Sequence, residues 1–248
     1  MASPLLTSEK KIGTLKHIRR YPFKSMKGED LSKAYLSPSG IPGDRRFAFI
    51  DENAERKSFP WMTARQKYEM LLFVPSFKET GNQSGVVEVR TPEGKVFLAD
   101  DPALEEFLEK RFGYSLKLKH DEEAGCFDSM PLSLFGLATL KALEAEVGME
   151  LERERFRANL YAEWDSGEPY FEDTLVGREL ALGYGGARIK VIKRNQRCAI
   201  PTLSPVTTKP SPVVLRNIER NHDGCVGVYC EIPITGEVSV NDPIFLLQ

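Results

Sequence analysis

Glycine and proline occur at short intervals along this chain, and they limit the length of its helices and strands. The chain has 19 glycines and 16 prolines in 248 residues. The segments between them are rich in β-branched and aromatic residues, which favours strands over helices. In the first half we predict strands at 46–50, 70–74, 86–90 and 95–98. The intervening TPEG segment predicts a turn that makes the last two strands a hairpin.

Two segments have the pattern of helices instead. In 102–112, apolar side chains such as Leu104 recur at helical spacing, a proline occupies the first turn, and Gly113 follows the end. A second helix is predicted over 134–147, where Gly148 is the stop signal. The spacing of apolar residues is less regular in this second segment.

The second half returns to short strands. We predict them at 155–162, 187–193, 225–232, 237–240 and 244–247. The polar segment 120–125 ends in glycine and indicates a domain boundary, so we predict domains at 1–121 and 122–248. Many short strands with two helices predict an α+β, β-rich fold of two β-barrel-like units, because closed sheets have no exposed edges.

Charge and cysteine usage exclude several classes of protein. With 34 basic and 36 acidic residues, the net charge of −2 gives no field that attracts nucleic acid or an anionic membrane. The apolar runs are too short to span a bilayer. The N-terminal sequence MASPLLTSEKK does not resemble a secretion signal, so we expect a cytoplasmic protein. The four cysteines have no spacing typical of a disulfide framework or a structural zinc site.

Cys198 follows a predicted strand and stands among cations. Lys193, Arg194 and Arg197 are its close neighbours in sequence. Neighbouring cations favour the thiolate, which is the form that attacks electrophiles and binds soft metals. Free cysteines more often pack in a core. The local pattern therefore leaves a structural and a functional interpretation open.

A second polar segment, YPFKSMKG at 21–28, predicts a phosphate site or a solvated loop. Lys24, Ser25 and Lys27 offer cations, a hydroxyl and backbone amides, which together suit a phosphate. Isolated lysines in a loop are more often there for solubility.

Three arginines add to this set. Arg45 lies in GDRRF where a turn meets a strand, and Arg65 lies in TARQ. Arg157 and Asn159 interrupt a segment that alternation would otherwise fill with apolar residues. A guanidinium is a planar fork that suits phosphate. The Asp–Arg pair in GDRRF is more commonly a surface salt bridge.

The motifs YPFKSMKG, GDRRF, TARQ, DSMPLS, FRANL and QRCAIPT occur in the order found in MOSC proteins, named after the C-terminal domain of molybdenum cofactor sulfurase. Over nearly its whole length the chain resembles two-part members such as the mitochondrial amidoxime-reducing component and its bacterial relatives. The resemblance implies an N-terminal MOSC β-barrel domain followed by the MOSC domain. It also implies that Cys198 is the catalytic residue and ligates the molybdenum of a molybdopterin cofactor.

The resemblance implies further residues that hold the phosphate and pterin of this cofactor. They are Lys24, Ser25, Arg45, Arg65, Ser129, Arg157, Asn159, Arg197 and Tyr229. Tyr229 is equally well explained as a core aromatic residue. Ser204 replaces the carboxylate usual in relatives, and Met130 replaces a hydroxyl residue. These departures leave the substrate pocket less certain than the cofactor site.

The activity implied is that of a molybdenum-dependent oxidoreductase that reduces N-hydroxylated or N-oxide compounds. Electrons then come from a separate flavin, haem or iron–sulfur reductase, because no such motif occurs in this chain. A non-catalytic molybdenum cofactor carrier, a sulfur carrier with a Cys198 persulfide, and a barrel that has lost its cofactor are the alternatives. Beyond the small-molecule substrate and the reductase, we expect no nucleic-acid or membrane partner.

Overall fold

The computed structural model describes residues 10–55, 58–78 and 85–247 of the chain. Its strands are β1 (Lys10–Arg20), β2 (Glu29–Leu31), β3 (Lys33–Leu36), β4 (Phe47–Asp51), β5 (Trp61–Met62), β6 (Val74–Phe77), β7 (Val87–Arg90), β8 (Val96–Leu98), β9 (Leu116–His120), β10 (Leu132–Gly136), β11 (Leu160–Trp164), β12 (Glu179–Leu182), β13 (Ala187–Gln196), β14 (Cys225–Ile234), β15 (Gly236–Ser239) and β16 (Pro243–Leu246). Its helices are α1 (Pro102–Phe112), α2 (Leu137–Val147) and α3 (Pro212–Asn221).

Seven strands close into a barrel because β1 pairs with both ends of one sheet. The order runs β11-β10-β14-β13-β12-β16-β1, and β1 then pairs with β11. β1 can do this because it is long and changes its partner along its length. It pairs with β16 up to Thr14 and with β11 from Gly13 to Ile18, with β-bulges on both sides. The interior is a dry cluster that includes Leu15 and Val191.

β2 extends the large sheet from β1, and most of the other strands form smaller sheets around a second core. The sheets β5-β4-β9 and β6-β7-β8 surround aromatic residues such as Phe23 and Phe73, and α1 covers this core with Leu104 and Leu108. A further pair, β3 with β15, joins the two halves of the chain. The predicted α+β, β-rich fold is confirmed. The domain boundary at residues 121 and 122 stays a prediction, and β1 contributes its strand to the barrel from the N-terminal side of that boundary.

Helix α1 has the bounds that the sequence predicts. Asp101 caps its first turn through the Ala103 N–H, and Gly113 ends it in the left-handed conformation. The predicted hairpin is also confirmed, with a turn closed between Gly94 and Thr91. The second helix begins three residues later than predicted, because the chain from Leu132 to Gly136 is strand β10 and joins the barrel.

Two predicted strands are wrong in part. Most of 70–74 lies in a 3₁₀ turn, Tyr68–Leu72, and the strand begins only at Val74. A short apolar run does not by itself distinguish these structures. In 155–162 the chain first makes a 3₁₀ turn, Arg153–Phe156, and the strand begins at Leu160. Arg157 between them has a φ of 49°, which no strand accommodates.

The barrel and helix α2 share one buried carboxylate. Glu172 is fully buried and accepts hydrogen bonds from the Gly136 N–H, the Thr139 hydroxyl and the Trp164 indole at 2.9–3.1 Å. Burial raises the pKa of Glu172 despite these three donors. The folded protein therefore holds this proton more tightly than the unfolded chain does.

We expect the free energy of unfolding to respond to this group. A raised carboxyl pKa means that wild-type stability falls as pH rises above about 4.3, the pKa of an unfolded glutamate. Glu172→Gln removes that titration, so the stability of wild type relative to the variant should be lower at pH 7 than at pH 4.5. Urea unfolding at the two pH values measures the difference. An unchanged difference would contradict the raised pKa.

Among the described residues, no helix has the length and apolar character needed to cross a membrane. The prediction that the chain has no secretion signal used the segment MASPLLTSEKK. The first nine of these residues lie outside the described part of the chain.

Candidate functional site

A cavity of about 570 Å³ contains all ten residues that the sequence predicts for the site. They are Lys24, Ser25, Arg45, Arg65, Ser129, Arg157, Asn159, Arg197, Cys198 and Tyr229. They lie in the turn after β1, the loops before β4, β10 and β11, the turn after β5, the segment directly after β13 and the middle of β14. Its volume is within the roughly 300–1,000 Å³ typical of small-molecule sites.

The wall of this cavity is strongly basic. The basic side chains that line it are Lys24, Arg45, Arg65, Arg155, Arg157, Lys193, Arg194 and Arg197. Asp128 is the one Asp or Glu among the lining residues that the structure describes. A concave surface with one sign of charge concentrates ions of the opposite sign. The cavity is therefore suited to an anionic ligand, although the whole chain is nearly neutral.

The turn after β1 places Lys24 inside. Lys24 is 6% exposed, and its Nζ donates to the Cys126 carbonyl at 2.7 Å and pairs with Asp128. Burial lowers the pKa of Lys24, and Asp128 opposes this shift. Ser25 has a φ of 65°, a left-handed conformation that is costly for a residue other than glycine.

Arg45 and Arg157 flank one aromatic ring. Their guanidinium carbons lie 4.7 and 4.4 Å from the centre of the Tyr21 ring, and Arg45 Nη2 donates to the Arg157 carbonyl at 2.8 Å. Both arginines have left-handed backbones, with φ values of 51° and 49°. Asp44 is fully buried, pairs with Arg45 and accepts the Tyr21 N–H at 2.7 Å. The Asp–Arg pair is thus a buried support of the site, and its interpretation as a surface salt bridge is wrong.

Arg157 has one hydrogen-bond donor without an acceptor among the described residues. Its Nη1 donates to the Met26 carbonyl at 2.6 Å, whereas its buried Nη2 has no hydrogen-bond partner among the described residues. Burial and the nearby Arg45 lower the pKa of Arg157 to about 10. A buried guanidinium with an unmet donor beside a second cation is the arrangement that an anion stabilises.

Asn159 lies at the same end, but its side chain is already engaged. Its Oδ1 accepts the N–H and hydroxyl of Ser133 at 3.2 and 3.1 Å, and its Nδ2 donates to the Arg19 carbonyl. The sequence interpretation placed Arg157 and Asn159 in a strand. The structure places them in the loop before β11, so strand alternation does not explain their polarity.

Cys198 lines the same cavity and follows strand β13. Cys198 is half-buried, and the preceding Arg197 donates to the carbonyls of Val226 and Phe156 at 2.9 and 2.8 Å. Burial lowers the pKa of Arg197. The Asn195 amide reaches both Arg197 Nη1 and the Tyr229 hydroxyl at 3.3 Å when its oxygen faces the arginine. Burial raises the pKa of Tyr229.

These contacts form two clusters on the cavity wall, one around Arg45 and Arg157, which we call the anion-binding end, and one around Cys198. No group of three or more His, Cys, Asp or Glu side chains among the described residues is arranged to hold a metal ion. A metal bound at Cys198 would therefore receive most of its ligands from a cofactor rather than from the chain. A soft metal in a phosphorylated, sulfur-bearing cofactor fits both clusters.

Four residues that support the site were not predicted as site residues. Asp128 and Asp44 are the partners of Lys24 and Arg45, Ser133 fixes Asn159, and Asn195 bridges two predicted residues. Asp44 lies inside the GDRRF motif, and Asp128 and Ser133 lie inside the DSMPLS motif, so the motifs contain this signal. Asn195 lies outside the six motifs, and it reaches Tyr229 because β13 pairs with β14.

Ser204 does not line the cavity, whereas Met130 does. Ser204 is 5% exposed, and its hydroxyl donates to Glu152 Oε1 at 2.5 Å while accepting from the backbone N–H groups of Val206 and Thr207. Glu152 also binds Arg155 at 2.6 Å. The replacement of the carboxylate at 204 therefore affects the packing of the loop after Cys198 and not the cavity wall. Glu152 already places a negative charge against this loop.

We expect Ser204→Asp to destabilise the protein by about 1–3 kcal/mol at pH 7, because two carboxylates would meet in a mostly buried place. The deficit should shrink as pH falls below about 5, where one of the two carboxyls takes a proton. Urea unfolding at pH 7 and pH 4.5 measures it. The double variant with Glu152→Gln is the control and should recover stability at pH 7. Equal stability of Ser204→Asp and wild type would contradict the contact.

Comparison with known proteins gives the family. A model of the MOSC N-terminal beta barrel domain matches residues 12–126, and a model of the MOSC domain matches residues 121–245. None of the curated proteins matches the chain significantly. Among solved structures, the YUAD protein from Bacillus subtilis is 15% identical, with a TM-score of 0.52 over 97% of this chain and 100% of that chain.

YiiM from Geobacillus stearothermophilus is 16% identical, with a TM-score of 0.38 over 48% of this chain and 54% of that chain. The likeness to the YUAD protein shows a shared fold and no more, because its identity is low. The two domain matches together run from residue 12 to residue 245, and the chain therefore belongs to the MOSC family.

Proposed function

We propose that this chain binds molybdenum–molybdopterin in the basic cavity and reduces N-hydroxylated or N-oxide compounds with electrons from a separate reductase. The observation that carries the proposal is that ten residues, predicted together from the motif resemblance, line one cavity that holds many cations and Cys198. MOSC domains are associated with proteins of the molybdenum cofactor, which agrees with that chemistry.

Lys24, Ser25, Arg45 and Arg157 are the residues that would hold the phosphate. They combine two buried guanidiniums and an ammonium with a hydroxyl, and such charge-assisted hydrogen bonds are roughly twice as strong as neutral ones. The unpartnered Nη2 of Arg157 is the donor most in need of an acceptor. The strained backbones of Ser25, Arg45 and Arg157 further indicate a site that is held in shape before its ligand arrives.

The Ser129 hydroxyl, the Asn195 amide and the Tyr229 hydroxyl also line the cavity and would hydrogen-bond the pterin. Cys198 would ligate the metal as a thiolate. When bound, the cofactor supplies two-electron redox chemistry at its metal. The half-buried position of Cys198 leaves room for a small substrate beside it, which supports an enzyme over a carrier that hides its metal.

The test is reduction of benzamidoxime by protein loaded with molybdenum cofactor, with reduced methyl viologen as an artificial electron donor. We expect formation of the amidine only when both protein and donor are present. Protein with stoichiometric molybdenum that reduces no N-hydroxylated or N-oxide compound would contradict the enzymatic proposal and favour the carrier. Protein that never retains molybdenum would contradict both.

A further inference from the structure

A second, smaller cavity lies beside the first. It has a volume of about 240 Å³, and its wall includes Arg19, Lys27, Glu154 and Val206. Arg157 and Tyr21 line it as well, and Arg157 also lines the main cavity. The two lysines of the 21–28 turn therefore line different cavities. Lys24 lines the main cavity, and Lys27 lines the second one. None of the cofactor-binding roles proposed above uses Lys27.

Two of its basic side chains have unused donors. Arg19 has a side chain only 7% exposed, and its Nη atoms donate to Asp30, Glu154 and the Gly28 carbonyl. Its Nε is buried and has no hydrogen-bond partner among the described residues. The half-buried Lys27 ammonium makes no ion pair with any described residue. A buried unmet N–H beside an unpaired cation favours an acceptor that carries negative charge.

The other walls restrict what this acceptor is. Glu154 contributes a carboxylate, which disfavours a dianion, so the cavity suits a single negative charge. Part of the wall is apolar and is formed by Leu71, Pro205 and Val206. The volume is below the roughly 300–1,000 Å³ of pockets for drug-sized ligands. A small ligand with one charged and one apolar end meets all three conditions.

We propose that this second cavity binds a small organic monocarboxylate. Its carboxylate pairs with the Lys27 ammonium beside the Arg19 and Arg157 guanidiniums, and its short apolar part packs against Leu71, Pro205 and Val206. Because Arg157 lines both cavities, the carboxylate also lies next to the arginine that we assign to the cofactor phosphate. The site does not require the cofactor, so it stands independently of the proposed function.

Butyrate is the probe, titrated into the full-length protein and followed by calorimetry or by NMR shifts. We expect saturable binding of one butyrate, with a dissociation constant on the order of 1 mM. Lys27→Ala should weaken it about tenfold, because a charge-assisted contact is lost. Val206→Glu adds a negative charge at a side chain that is 65% exposed, so it should fold normally and also weaken binding.

Lys193→Ala is the matched control, because Lys193 lines only the main cavity and is an exposed lysine. We expect it to bind butyrate as wild type does. The proposal is overturned if butyrate does not saturate, or if Lys193→Ala weakens binding while Lys27→Ala does not. Molybdenum content should be the same in Lys27→Ala and wild type, so loss of butyrate binding and failure of the proposed function are distinguishable.

Discussion

Cys198→Ser should remove molybdenum from the purified protein and lower its reduction of benzamidoxime by more than about a hundredfold. A hydroxyl is a harder ligand than a thiolate and does not ionise near neutral pH, so the metal loses the one ligand that the chain is proposed to supply. Loss of residues that merely support metal ligands already costs about 10- to 100-fold, and loss of the ligand itself should exceed that. Elemental analysis and the amidine assay measure the two effects.

Cys225→Ser is the matched control. Cys225 is the other cysteine on the cavity wall and is half-buried like Cys198, but it begins strand β14 and has no proposed role as a ligand. We expect the control to retain both molybdenum and activity. If the two variants behave alike, the assignment of the metal ligand to Cys198 is wrong. Wild-type molybdenum content in Cys198→Ser would contradict it as directly.

The elements with strong local signals were predictable from the sequence. Helix α1 carries its own start and stop signals in Pro102 and Gly113, and its bounds are as predicted. The hairpin of β7 and β8 has an equally local cause in its turn sequence. The candidate site residues were predicted in a different way, from the family resemblance that six motifs carry, and they line one cavity.

What the sequence did not reveal depends on contacts between distant segments. Arg157 breaks its predicted strand because its backbone adopts the left-handed conformation beside Arg45 and Tyr21, which lie more than 100 positions earlier. Strand β1 closes the barrel through a partner, β11, from the far half of the chain. Propensity and periodicity describe only near neighbours, so neither feature has a local signal.

Asp44 also contacts a segment distant in sequence, and its substitution should cause a large loss in the free energy of unfolding. Its carboxylate is fully buried, pairs with Arg45 and accepts the Tyr21 N–H. Although burial opposes it, the adjacent Asp44 raises the pKa of Arg45. Asp44→Asn keeps the shape and an acceptor for Tyr21 but leaves a largely buried guanidinium without its counter-charge. Breaking a buried ion pair in this way costs about 3–5 kcal/mol, so we expect a loss of about 3 kcal/mol in the free energy of unfolding.

Asp165→Asn is the control for this loss, since Asp165 also pairs with a cation, Lys11, but both side chains are about half exposed. An exposed pair contributes less than about 1 kcal/mol, so the control should unfold almost as wild type does in urea. Molybdenum content adds a second measurement, because Arg45 donates to the backbone of Arg157 and a displaced Arg45 should loosen the anion-binding end. Equal stability losses in the two variants would mean that the buried Asp44–Arg45 ion pair does not stabilise the site.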